Sequence, residues 1–198
     1  MQLRNIRPLN KTKTAGFTMV ELVIVVIILG IVIAILLPNL LGNTNNPKAK
    51  LLQRTATAIA QNINLIAMEC GTTTQVSGNV VPDTGKSMAD VLFEGSPAVA
   101  TAKQTCYSKS SVRPMRDSVA KNGTAWEIGG FPVTIAGGGG GINKITVTYA
   151  NVPDEVVLTA AQQYNSALTA LAASDTTGDV IRYGTATGGV RTVTYRLD

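Results

Sequence analysis

The chain has 198 residues, enough for one ordinary domain with a real core plus a separate apolar segment. Its 17 basic and 12 acidic residues give a formal net charge of +5. Four of the basic residues, Arg4, Arg7, Lys11 and Lys13, fall in the first sixteen with no acid among them; the rest of the chain is near neutral, which does not argue for a nucleic-acid partner. The absence of histidine excludes His-based triads and His metal sites.

Residues 1–16 read as a basic polar leader. From Phe17 to Leu41 the only charged residue is Glu21, and the rest is mostly Val, Ile and Leu. A helix apolar on every face belongs in lipid or in the centre of a large assembly. A secretory signal would place its cleavage site after such a run, behind small residues. Here the run ends at bulky Leu37, Pro38 and Asn39, and the small residue, Gly16, stands before it. Cleavage after Gly16 would keep the apolar helix as a new N-terminus. Glu21 is costly at membrane depth. It lies one helical turn from a new Phe17 amine, protonated near neutral pH, and could pair with it in its own chain or a neighbour. Alternatively, Glu21 complements the positive end of the helix.

These residues carry a family resemblance. AGFTMVELVIVVIILGIVIAILLP, residues 15–38, resembles the N-terminus of a type IV prepilin: a short basic leader ending in Gly16, an aromatic first mature residue Phe17, Glu21 as the fifth, then a long apolar helix with Gly30 and Pro38. The resemblance implies cleavage after Gly16 and N-methylation of Phe17 by a prepilin peptidase of the inner membrane. It implies assembly by the pilus machinery into a homopolymeric surface filament, with the inner membrane holding the precursor. It further implies the type IV pilin fold, an α+β arrangement in which the second half of a long N-terminal helix packs on an antiparallel sheet. In that family the helix often loosens between such a Gly and Pro, so Gly30 to Pro38 is the matching segment. The simpler alternative is that Gly30 permits close helix packing.

GNTNNPK, residues 42–48, is a breaker cluster and predicts a joint. Residues 48–69 return to helix, with Leu52, Ala56, Ile59, Ile63 and Ile66 as an apolar stripe; 42–70 therefore reads as the second half of the N-terminal helix and 71–198 as the head domain. Cys70 and Cys106 would both be exported, and an even count in an oxidising compartment predicts one disulfide, against two buried thiols. It would close 35 intervening residues and stabilise by about 3–4 kcal/mol in the loop-entropy picture.

SMADVLFEG predicts a short helix, SVRPMRDSVAKNG an exposed segment, and TAWEIGGFPVTIAG one or two strands around a turn. GGGGG at 137–141 lacks the Gly-Lys-Ser/Thr ending of a phosphate loop and reads as a hairpin loop. Ile145, Val147 and Tyr149 alternate as a strand; Pro153 then opens a helix predicted over 154–173. DTTGD at 175–179 reads as a solvated turn; Asp175 and Asp179 are too few for a calcium cage, although a calcium site stabilises some related secretion pseudopilins. Strands VIRYG and VRTVTYRL follow. The order strand, Val-Pro, helix, strand, strand resembles the C-terminal half of type IVb pilins, whereas the short leader and Phe17 resemble the type IVa class. Val157 stands near where many type IVb pilins carry a cysteine, so their C-terminal disulfide does not transfer.

The reading is a structural subunit, the major pilin, serving adhesion, aggregation or motility, with no cofactor and no metal. Alternatives are a type II secretion pseudopilin or minor pilin, or a membrane-anchored exported enzyme, for which no catalytic constellation can be assembled. Lys103, Lys109, Arg113, Arg116 and Lys121 form a basic segment relevant to DNA or a host receptor, although Asp117 interrupts it and charge runs are usually solvated faces.

Overall fold

The computed structural model describes residues 18–41, 45–112, 115, 119–137 and 144–198, with the backbone alone for 35–41. The chain divides into two compact units, Met1–Asn43 and Thr44–Asp198. In the first, a single helix α1 spans Met19–Leu41. The second is built around α2, Asn45–Cys70. Of the expected breaker cluster, residues 42–44 lie outside the described residues, and Asn45 to Lys48 are already helical, because Pro47 lies in the first turn, where its missing N–H would have had no partner.

α2 buries Leu52, Ala56, Ile59, Ile63 and Ile66 completely. This is the stripe read from the sequence, and it lies on a six-stranded antiparallel sheet. The strands are β1 (Val119–Asn122), β2 (Ala125–Ile128), β3 (Phe131–Gly137), β4 (Ile145–Pro153), β5 (Ile181–Tyr183) and β6 (Val190–Leu197). Their order is β1-β2-β3-β4-β6-β5, so the strand latest in the chain lies inside the sheet. Alternation assigns Val147, Tyr149, Val193 and Tyr195 to the core and Thr146, Thr148 and Thr194 to the other face. A bulge between Tyr149 and Val152, with Asn151 at φ 57°, lets both flanking side chains stay buried although they are three apart.

Three short helices complete the unit: α3 (Met88–Phe93), α4 (Gln104–Lys109) and α5 (Asp154–Gln162). α3 begins with a capping box between Ser87 and Asp90. α5 packs on α2 and is half as long as expected. The chain leaves the helix at Asn165, whose N–H still bonds Ala161 O while its side-chain oxygen accepts from Ala167 N–H, an alternative to the next helical turn. Residues beyond it are tied down by Arg191, which donates to Asp154 (2.9 Å) and to the Ala172 and Ala173 carbonyls (2.7 and 2.8 Å).

One polar contact sits inside the helix–sheet seam. The Tyr149 hydroxyl donates to Leu52 O (3.1 Å) and lies 2.7 Å from Thr55 Oγ1. Burial raises its pKa well above the usual tyrosine value, so it stays a neutral donor. The Tyr195 hydroxyl is also buried and has no partner among the described residues. The two tyrosines therefore make opposite forecasts. Tyr149→Phe should lower stability by about 1–2 kcal/mol, whereas Tyr195→Phe should be neutral or stabilising, because it removes an unpaired buried group. Denaturant titration of the two variants reads the difference. Ile63→Ala, at the centre of the stripe, should cost about 2–5 kcal/mol in the same assay.

Candidate assembly site

Gly16 and Phe17, the expected cleavage junction, lie outside the described residues. The description starts at Thr18, which caps α1. The Thr18 hydroxyl accepts from Glu21 N–H (3.3 Å), while the Glu21 carboxylate accepts from Thr18 N–H (3.1 Å) and from the Thr18 hydroxyl (3.0 Å). This is a reciprocal capping box, with both backbone donors satisfied. Of the two roles open to Glu21, the described residues show the one at its own helix terminus; Phe17, needed for the other, lies outside them. Thr18 was missed as a functional residue, although the Thr-x-x-Glu spacing before an apolar run is the signal for it.

Beyond the cap, α1 has no polar face. Its large aliphatic side chains from Met19 to Ile33 are 43–86 % exposed among the described residues. A contiguous apolar surface of that kind marks contact with lipid or with other chains. The helix runs unbroken through Gly30 and Pro38 to Leu41, so the expected opening at Pro38 is absent in the single chain. One missing donor removes one bond, and the neighbouring turns keep theirs. A Cβ built on Gly30 meets nothing within 4 Å, so the space beside it is available to an outside partner. Among the described residues no helix is long and apolar enough to cross a membrane. Side chains are described only from Met19 to Ala34, about 24 Å of helix, against about 30 Å of hydrocarbon.

In the second unit, Cys70 is bonded to Cys106, with Cα atoms 5.0 Å apart. The bond fastens the end of α2 to α4. Two members of the basic segment are engaged within the fold. Lys121 Nζ lies 2.7 Å from Glu94 and 3.5 Å from Asp90, and sits 4.5 Å from the centre of the Trp126 ring. Lys103 Nζ donates to Cys70 O (3.4 Å). Arg113 and Arg116 lie outside the described residues. At the 175–179 turn, Asp175 Oδ1 accepts from Thr177 N–H (2.9 Å) and Gly178 N–H (3.1 Å), an Asx turn. Among the described residues, no group of three or more side chains is placed to hold a metal.

Residues 11–37 match the family model for the prokaryotic N-terminal methylation motif. That motif marks type IV pilin-like prepilins, and it points to a structural protein rather than an enzyme. It indicates a membrane-anchored precursor, processed by prepilin peptidase for pilus assembly. No curated protein and no solved structure matches the chain.

The Asp90 cluster gives this part of the head a pH dependence. Burial pushes the Asp90 carboxyl up, but the Ser87 hydroxyl and N–H, the Trp126 indole and the Lys121 ammonium together hold it below its usual value. A depressed folded value means stability that is complete above the unfolded aspartate range, near about pH 4, and lost as pH falls through the folded value. Asp90→Ala should therefore melt below wild type at neutral pH, with the gap narrowing as pH falls below the usual aspartate range. Thermal melts across that range check it.

Proposed function

We propose that this protein is the major subunit of a type IV pilus, cleaved after Gly16, N-methylated at Phe17 and polymerised through α1 into surface filaments for adhesion, aggregation or motility. The observation that carries the reading is the aliphatic run of α1 after Glu21, opened by the Thr18–Glu21 cap and overlapping the methylation motif at residues 11–37. Before assembly the apolar segment sits in the inner membrane. In the filament each helix buries its aliphatic surface against other copies, worth about 1.5–3 kcal/mol per large side chain when water is the alternative. Lipid already satisfies that surface, so extraction needs work from an assembly motor.

Cleavage would free the Phe17 amine one turn from Glu21. The Glu21 carboxylate then sets axial register by pairing with the amine of a neighbouring copy, since an unpaired charge in a dry core is strongly disfavoured. Gly30 and Pro38 supply the places where α1 can loosen during extraction. A pseudopilin or minor pilin would share the same N-terminus; it is distinguished by its scarcity in sheared surface filaments.

Two substitutions separate the cap from the charge. Glu21→Ala removes both, whereas Glu21→Gln keeps a capping-box acceptor without the charge. Both variants should be processed and held in the membrane, with few filaments. Mass spectrometry of sheared filaments reads the N-terminus, the methyl group and subunit abundance. Normal piliation by Glu21→Gln would remove the register role.

A further inference from the structure

The outer face of the sheet, opposite α2, carries two arginines that the fold does not use as ion pairs. Arg182 on β5 stands opposite Thr194 on β6, which stands opposite Thr148 on β4. Arg196 lies two residues along β6, opposite Thr146. The alternation of strands puts both guanidiniums on one face, beside a cavity of about 380 Å³ lined also by Thr192 and Asp175. Neither arginine forms an ion pair among the described residues. Arg182 donates Nε to Gly178 O (2.7 Å), a bond that anchors the guanidinium and uses one of its five donors. Asp175 is the one acid among the described lining residues. Its Oδ1 is taken up by three donors of its own turn, so it offsets the pair only in part.

Like charges on neighbouring strands destabilise a sheet. Here the two arginines are kept together in a concave site with only Asp175 as a partial counter-charge. Gly184 keeps the site open, because a Cβ there would come within 2.6 Å of Thr192 Oγ1. We propose that Arg182 and Arg196, with the Thr192 hydroxyl, form a binding site for an oxyanion-bearing ligand, a phosphate or a carboxylate. Planar guanidinium forks are suited to such groups, and paired N–H donors give them orientation as well as charge. The tyrosines nearby, Tyr183 and Tyr195, are buried, so this face offers no aromatic platform for stacking bases. The site does not depend on filament assembly.

The test uses the full chain in detergent, titrated calorimetrically with tripolyphosphate in one arm and citrate in the other, which separates phosphate from carboxylate preference. Wild type should bind at least one probe, more weakly as salt rises. Arg182→Gln and Arg196→Gln should each weaken binding by about tenfold, the loss of one charge-assisted pair. Arg196→Lys, which keeps the charge without the fork, should fall between. Lys48→Gln/Lys50→Gln on α2 should bind as wild type. Melting curves of the variants without probe establish that they are folded, and the bound probe should raise the wild-type midpoint. Failure of both probes to bind wild type, or equal binding by the Arg182→Gln/Arg196→Gln variant in folded form, overturns the assignment.

Discussion

The head depends on one seam, the apolar stripe of α2 against the inner face of the sheet. Leu52, Ile59, Ile63 and Ile66 leave no surface exposed there, and the Tyr149 hydroxyl is admitted only because Leu52 O and Thr55 Oγ1 meet it. α5 can pack where it does because α2 presents a second buried flank, and Asn45 reaches Glu155 at 2.7 Å to fix the two helix starts together. The contrast with α1 follows from composition. A helix with one apolar stripe is satisfied by one sheet, whereas a helix apolar all round needs an environment that surrounds it.

Outside the seam, the first part of the head is held by different means. Among the described residues of 71–118 there is no named strand and little alternating pattern, and their order comes from cross-links. The Cys70–Cys106 bond closes the segment at the end of α2. The Ser87 cap, the Asp90–Trp126 hydrogen bond at 3.1 Å and the Lys121 bridge to Glu94 at 2.7 Å then tie α3 to β1 and β2. Phe93 stacks at a tilt on Trp126, 5.2 Å between centroids, so the ionic cluster rests on an aromatic floor. A small apolar core is thus supplemented by one covalent link and one charged network.

Periodic features were legible in the sequence. The α2 stripe, the alternation of β4 and β6, and the Val-Pro entry to α5 stand where the pattern put them. What escaped was local or non-local chemistry that periodicity does not encode. β1 is a largely exposed four-residue strand whose only signal was the Asn122-Gly123 turn after it. α4 is too short to show a period. The length of α5 was misjudged because a continuing apolar pattern hid the competing bond of Asn165. Strand order could not be read at all, since placing β6 between β4 and β5 is settled by packing across long stretches of chain. At the N-terminus the motif was plain, and so was Glu21, but the capping role of its partner Thr18 was hidden beside the stronger signal of the apolar run.

The interior position of β6 carries a kinetic corollary. Both neighbours precede it in the polypeptide, so neither can complete its edge until that segment emerges. Until β6 is available, β4 and β5 would wait with open hydrogen-bonding rims, vulnerable to mispairing with other copies of the chain. Closing the sheet would thus be a late, long-range event, tying maturation of the head to delivery of its terminal ribbon.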